Sequence, residues 1–148
     1  MLSYCPPARI EPVTDLIPDA GALAGPLEFP DGLPGFPHAR RFQFEPLEED
    51  LPPFFSMRSL DVDRLRFVVV TPGAVFENYV VEVPEDDVER LGLHDAEDAL
   101  VVVIVTVSEP PTANLLGPVV VNRHTGQSRQ VVLTGSGYDV RTPLPLGR

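Results

Sequence analysis

The sequence has little of several features that decide a protein's class. Its longest apolar run, residues 99–105, has seven residues, whereas a membrane-spanning helix needs about 20. The single cysteine, Cys5, excludes an internal disulfide and a cysteine-based structural zinc site. No stretch near the N-terminus combines a basic region, an apolar core and a small-residue cleavage site, so we expect no secretory signal peptide. These absences predict a cytoplasmic protein with no membrane partner.

Basic residues are also scarce, and lysine is absent. Eleven arginines stand against 22 acidic residues, for a net charge of −11 in 148 residues. Proteins that bind nucleic acid directly need clustered bases to neutralise phosphates, and these arginines are scattered. We therefore expect no direct contact with nucleic acid.

The negative charge is concentrated in one part of the chain. Residues 77–109 hold ten acidic residues and one base, whereas residues 110–148 hold one acidic residue and four arginines. Such a segment is either ordinary solvated surface or an acidic docking face that attracts a basic partner. The sequence alone leaves both interpretations open.

The proline content indicates the fold class. Eighteen of the 148 residues are proline, which argues against long helices because an interior proline costs a helix about 3 kcal/mol. We expect residues 1–25 to be a low-order lead-in and residues 26–148 to form one domain. Runs of β-branched and aromatic residues, separated by Pro- and Gly-containing turns, predict strands. The predicted strands are Arg41–Phe44, Phe54–Leu60, Arg66–Thr71, Tyr79–Val83, Ala99–Val107, Val119–Asn122 and Gln130–Leu133.

One short helix is predicted between these strands. Pro84 suits its beginning, the three acidic residues that follow favour the positive end of the helix dipole, and Gly92 supplies its end. The prediction is an all-β, small barrel-like antiparallel fold of about seven or more short strands with one short helix.

No catalytic constellation is evident in the sequence. His38, His94 and His124 are widely separated, and no serine has a G-x-S-x-G context. The acidic clusters lack the alternating ligands and the glycine of a calcium loop. We expect no enzyme activity, no metal and no cofactor, with a carboxylate-based hydrolase on a β-barrel as one alternative and an interaction module of another pathway as a second.

Several segments, in order, resemble the flagellar assembly factor FliW family. They are FPDGLPGF at residues 29–36, PFFSMRSLD at 53–61, RFVVVTP at 66–72, TANLLGPVVVN at 112–122, QVVL at 130–133 and YDVRTPL at 138–144. The resemblance covers residues 27 to 144 and implies a small barrel-like protein that acts by binding. It implies two partners: CsrA, an RNA-binding translational repressor that the family antagonises non-competitively, and flagellin. Flagellin in the cytoplasm would occupy the protein and free CsrA, which couples flagellin synthesis to assembly.

The resemblance and the charge map together give candidate contact residues. We expect the acidic residues to attract basic CsrA and to repel RNA phosphates, and Phe76 and Tyr79 to anchor the contact unless both lie in the core. Asn114 of the TANLLGPVVVN stretch is included, and we expect the free protein to be a monomer. The partner-binding candidates are Phe76, Glu77, Tyr79, Glu82, Glu85, Asp86, Asp87 and Asn114.

Overall fold

The computed structural model describes residues 8–10, 26–33, 35–46, 54–76 and 79–144. Within them the chain forms eleven β-strands, one α-helix and two 3-10 helices, the latter at Pro72–Ala74 and Ala96–Asp98. The strands are β1 (Ala8–Ile10), β2 (Leu27–Glu28), β3 (Arg41–Pro46), β4 (Phe54–Ser59), β5 (Arg66–Val70), β6 (Val81–Val83), β7 (Ala99–Thr106), β8 (Thr112–Ala113), β9 (Val119–Asn122), β10 (Ser128–Gln130) and β11 (Thr142–Pro143), and the helix is α1 (Glu85–Leu91).

Most strands belong to one curved antiparallel sheet. Its main path runs β10-β9-β7-β5-β4-β3-β2, and β8 joins it by pairing with β7 and with β11. The two ends of the path meet where Glu28 bridges Gln127, and the Glu28 amide donates to the Gly126 carbonyl over 2.8 Å. The predicted all-β, barrel-like fold with one short helix is confirmed.

Two hydrophobic cores lie on opposite sides of this sheet. Because successive side chains of a strand point to opposite faces, β7 places Val101 and Val103 in one core and Leu100 and Val102 in the other. The core that contains Leu100 and Val102, which we call the barrel core, also contains Phe42 and Phe44 of β3 and Phe55 of β4. The outer core lies between the sheet and a layer that includes β6 and α1. Strand β7 is therefore buried on both faces.

The helix ends where the sequence predicts and begins at Glu85, one residue after the proline expected in its first turn. Pro84 occupies the N-cap position, and Gly92 ends the helix in the left-handed conformation, with φ of 67°. Val88 and Leu91 are buried in the outer core, which fixes the polar side of α1 outward.

Two strand predictions need correction. A strand is predicted at Gln130–Leu133, but the strand found there is Ser128–Gln130. The Val131 and Leu133 amides donate instead to the carbonyls of Pro118 and Leu116, each at 2.8 Å. The strand predicted from Tyr79 begins at Val81, because the Val80 amide donates to the Tyr138 hydroxyl.

A short strand also forms within the segment expected to be a low-order lead-in. Residues 8–10 pair antiparallel with β6, and the rest of residues 1–25 lies outside the described residues. Among the described residues, no helix has the length and apolar character needed to span a membrane.

Candidate functional site

An acidic face is displayed by β6 and the first turn of α1. On β6, Glu82 points outward between the buried Val81 and Val83. On α1, burial of Val88 and Leu91 leaves Glu85 and Asp86 exposed to solvent. We define these three exposed carboxylates, of Glu82, Glu85 and Asp86, as the acidic face. They are held on elements whose opposite sides are fixed in the outer core.

Asp87 differs from its two acidic neighbours. Its Oδ1 accepts a hydrogen bond from Arg129 Nε at 2.8 Å, and Arg129 also pairs with Asp31 in the FPDGLPGF segment. The Asp87 side chain is only 18% exposed. Its charge is therefore engaged within the protein, and it joins α1 to β10 rather than extending the acidic face.

The two aromatic candidates pack inward. Tyr79 is 2% exposed, its hydroxyl donates to the Leu115 carbonyl at 2.7 Å, and its ring meets Tyr138 edge-on with centroids 4.7 Å apart. Burial, with Tyr138 beside it, raises the pKa of Tyr79 far above its usual value. Phe76 is half-buried against the same core. Tyr79 therefore occupies a core position, which the sequence analysis left open, and its ring is not exposed. Glu77 lies outside the described residues.

Asn114 stabilises a turn at the corner between β8 and β9. Its Oδ1 accepts a hydrogen bond from the Gly117 amide at 2.9 Å, and the Gly117 carbonyl accepts one from Gln130 Nε2 at 2.9 Å. The side chain is therefore bonded to nearby backbone. The side chain is half-buried and also lines a groove.

That groove is a feature which the sequence reasoning missed. It has a volume of about 350 Å³ and is mainly apolar. Three of its side chains are substantially exposed: Phe36 at 40%, Val132 at 58% and Val140 at 48%. Its lining consists of Leu33, Phe36, Phe67, Ile104, Asn114, Leu116, Gly117, Gln130, Val132 and Val140, and we call it the apolar groove.

Little in the sequence signals this groove. Phe36 resembles a core aromatic, but it lies in a turn and stacks edge-on against Phe67 at 5.6 Å, at the rim of the barrel core. Val132 is the one apolar residue of the QVVL segment that alternation directs outward, between buried Val131 and Leu133. That alternation is the only signal that points to an exposed apolar position.

The described residues bring together few chemical groups beyond these surfaces. His124 Nε2 lies 3.0 Å from Asp98 Oδ1, at an exposed turn before β7. The backbone amides of Asp95 and His94 donate hydrogen bonds to the Asp98 carboxylate and lower its pKa. The Asp98–His124 pair therefore stabilises a turn. Within the described ranges, no group of three or more His, Cys, Asp or Glu side chains is arranged to hold a metal ion.

Comparison with known proteins identifies the family. The family model described as FliW protein matches residues 19–144. The flagellar assembly factor FliW of Bacillus subtilis (strain 168) is 39% identical over 119 residues, which is 78% of this chain and 82% of that protein. The corresponding protein of Bacillus licheniformis is 40% identical over the same shares of the two chains.

A solved structure agrees with the sequence comparison. The crystal structure of the flagellar assembly factor FliW matches with a TM-score of 0.74 and 31% identity, covering 80% of this chain and 84% of that one. With the fold, the ordered motifs and these relatives in agreement, the chain belongs to the FliW family of flagellar assembly factors.

Proposed function

We propose that this protein acts in the cytoplasm by binding two partners, without catalysis. It antagonises CsrA non-competitively and binds flagellin, and it thereby couples flagellin synthesis to flagellar assembly. Membership of the FliW family supports the role in assembly, and the resemblance of the motifs implies the two partners. The observation that carries the proposal is the acidic face, whose carboxylates are exposed on a rigid support.

The acidic face suits a basic RNA-binding partner for an electrostatic reason. Glu82, Glu85 and Asp86 are exposed close together along the chain, so they attract a basic protein and oppose the approach of RNA phosphates to the complex. Charges within a Debye length of about 8 Å still interact at physiological salt. The face therefore contributes most when CsrA is seated directly on it.

Calorimetric titration with CsrA from the same organism tests this assignment. We expect about one protein per CsrA protomer, with affinity that falls as salt is raised from 50 to about 300 mM. The variant Glu85→Gln/Asp86→Asn should weaken binding about tenfold at low salt and lose most of the salt dependence. Asp87 is left unchanged because its bond to Arg129 makes it structural.

A matched control removes the same charge elsewhere. Asp63 and Glu109 are both exposed and lie outside β6 and α1, so Asp63→Asn/Glu109→Gln should bind CsrA nearly as the wild type does. Equal weakening in both double variants would assign the effect to net charge rather than to the acidic face. Unchanged binding in Glu85→Gln/Asp86→Asn would contradict the electrostatic assignment.

We assign flagellin to the apolar groove. An exposed apolar surface with a half-buried polar rim, here Asn114 and Gln130, is typical of a protein-binding site. Val132→Asp should weaken flagellin binding at least tenfold, because a carboxylate in the groove cannot be desolvated without a partner. Val107→Asp is the control, since Val107 is 78% exposed and outside the groove.

Gel filtration of the two valine variants accompanies this test. We expect the wild type and both variants to be monomers when free. Equal flagellin binding by Val132→Asp and Val107→Asp would exclude the groove as the flagellin site.

The described residues give no support to the hydrolase alternative. One groove is lined by two carboxylates, those of Glu28 and Asp61. Asp61 Oδ2 accepts the amides of Arg40 and Arg41 at 2.9 and 2.7 Å, and these bonds lower its pKa. A general acid needs the opposite shift. Asp61 is therefore suited to stabilising the chain at this point rather than to proton transfer.

A further inference from the structure

Strand β6 has a main-chain edge that is covered by the chain's own N-terminal segment. Val81–Val83 pairs with Ala8–Ile10 and, among the described residues, with no other strand. The side chains of Val81 and Val83 are buried in the outer core, which anchors one face of β6 to the rest of the protein. The main-chain edge that β1 covers is a template on which another antiparallel strand can be added.

The covering strand comes from outside the region that defines the family. β1 ends at Ile10, whereas the family model matches from residue 19. Residues 11–25 separate β1 from the next described residue, Pro26. The pairing of β1 with β6 is only three residues long, and short edge pairings open at low free-energy cost.

The charge pattern around the edge selects the kind of strand it accepts. In the register of β1 on β6, Arg9 stands opposite Glu82. Glu85 and Asp86 are exposed just beyond the C-terminal end of β6. Opposite charges at directly opposed positions favour antiparallel pairing, so an extended segment with a basic residue opposite Glu82 fits best.

We propose that the edge of β6 is a docking site for an extended basic segment of the partner protein, and that β1 is an internal ligand that covers this site until the partner displaces it. The proposal rests on the proposed function, because the edge adjoins the acidic face assigned to the basic regulator. It adds a main-chain recognition element to that face. It also makes the N-terminal segment a device that lowers affinity for the partner.

The test breaks β1 within the full-length chain. Neighbouring residues of a strand direct their amides to opposite sides, so Arg9→Pro/Ile10→Pro removes whichever amide faces β6. If β1 covers the edge nine-tenths of the time, uncovering it should strengthen CsrA binding about tenfold. Hydrogen exchange should show those amides of Val81–Val83 that face β1 exchanging faster in this variant, with protection restored when CsrA is added.

Two controls separate strand pairing from other effects. Arg9→Gln removes the same charge without a proline and should strengthen CsrA binding far less than Arg9→Pro/Ile10→Pro does, because the main-chain pairing of β1 remains. Thr14→Pro adds a proline in residues 11–25 and should bind CsrA nearly as the wild type does. Unchanged affinity of Arg9→Pro/Ile10→Pro, an equal gain in Arg9→Gln, or continued fast exchange of residues 81–83 in the complex would each overturn the proposal while leaving the proposed function intact. Absence of CsrA binding in the wild type and in every variant would overturn the proposed function, and the docking proposal with it.

Discussion

At the scale of single residues, polar side chains of the family-like motifs bond mainly to the protein's own backbone. Asp61 accepts two backbone amides, Asn114 accepts the Gly117 amide, and Asn122 Nδ2 donates to the Leu91 carbonyl at 2.8 Å. Unpaired buried main-chain groups are costly, so these side chains stabilise turns that the fold requires. The motifs that reveal the family therefore encode its fold. The acidic face lies outside them, whereas nine of the ten residues that line the apolar groove belong to them.

Removing the Tyr79 hydroxyl tests one such bond directly. Tyr79→Phe leaves the buried Leu115 carbonyl without its 2.7 Å partner and should lower the free energy of unfolding by about 1–2 kcal/mol in urea denaturation. Tyr138→Phe is the comparison, since its hydroxyl accepts the Val80 amide at a half-buried position that water can reach. It should cost less, and a larger loss for Tyr138→Phe would contradict this account.

The same phenol predicts a decline in stability at alkaline pH. Its folded pKa lies well above the ordinary value of 10.0, so above pH 10 the unfolded chain loses this proton while the folded chain keeps it. Stability should fall as the pH rises from about 10 to 11.5, and Tyr79→Phe should reduce that slope. Ultraviolet difference titration of the native protein should show one of the three tyrosines ionising at a distinctly higher pH than the other two.

At the scale of elements, sequence patterns identify most strands and the helix but not how their ends pair. The α1 boundaries were predictable because Pro84 and Gly92 act locally. The position of β10 at Ser128–Gln130 was not predictable, because it depends on the hydrogen bonds from the Val131 and Leu133 amides to carbonyls of residues 116–118. The acidic face was predictable as a local charge cluster. The apolar groove was not, because it is assembled from segments as distant as Phe36 and Val140.

Asn122 connects two of these elements and gives a test of that connection. Its side chain donates to the Leu91 carbonyl at the end of α1 and accepts the His124 amide at 2.9 Å in the turn after β9. Asn122→Ala should lower the free energy of unfolding by about 2–3 kcal/mol, because the Leu91 carbonyl loses its partner at a buried site and the His124 amide loses one at a half-buried site. Thr125→Ala, an exposed change in the same turn, should cost less than about 1 kcal/mol; equal losses would show that the link to α1 contributes little.

At the scale of the whole molecule, the barrel is closed by a contact that only glycine permits. Gly126 has φ of 83°, and a Cβ atom there would lie 2.6 Å from the Pro26 carbonyl oxygen, next to the bond that joins Glu28 to Gly126. Any side chain at this position therefore pushes the two ends of the sheet apart.

A pair of glycine substitutions isolates this effect. Gly135 also has a positive φ, of 79°, but a Cβ atom there meets nothing within 4 Å. Gly126→Ala and Gly135→Ala share the backbone strain, and only the first disturbs the closure. We expect Gly126→Ala to lower the free energy of unfolding by about 2 kcal/mol more than Gly135→Ala, measured by thermal or urea denaturation. Similar losses would mean that the ends of the sheet separate easily.

Strand β7, whose alternate side chains enter both cores, also determines how the molecule comes apart. Neither core can lose its packing against β7 without disturbing the other, because the neighbouring residues Val101 and Val102 of this strand lie in different cores. Unfolding should accordingly be a single cooperative transition, in which the calorimetric and van't Hoff enthalpies agree. A fragment that stops short of β7 has only part of each core and lacks the strand against which both are completed.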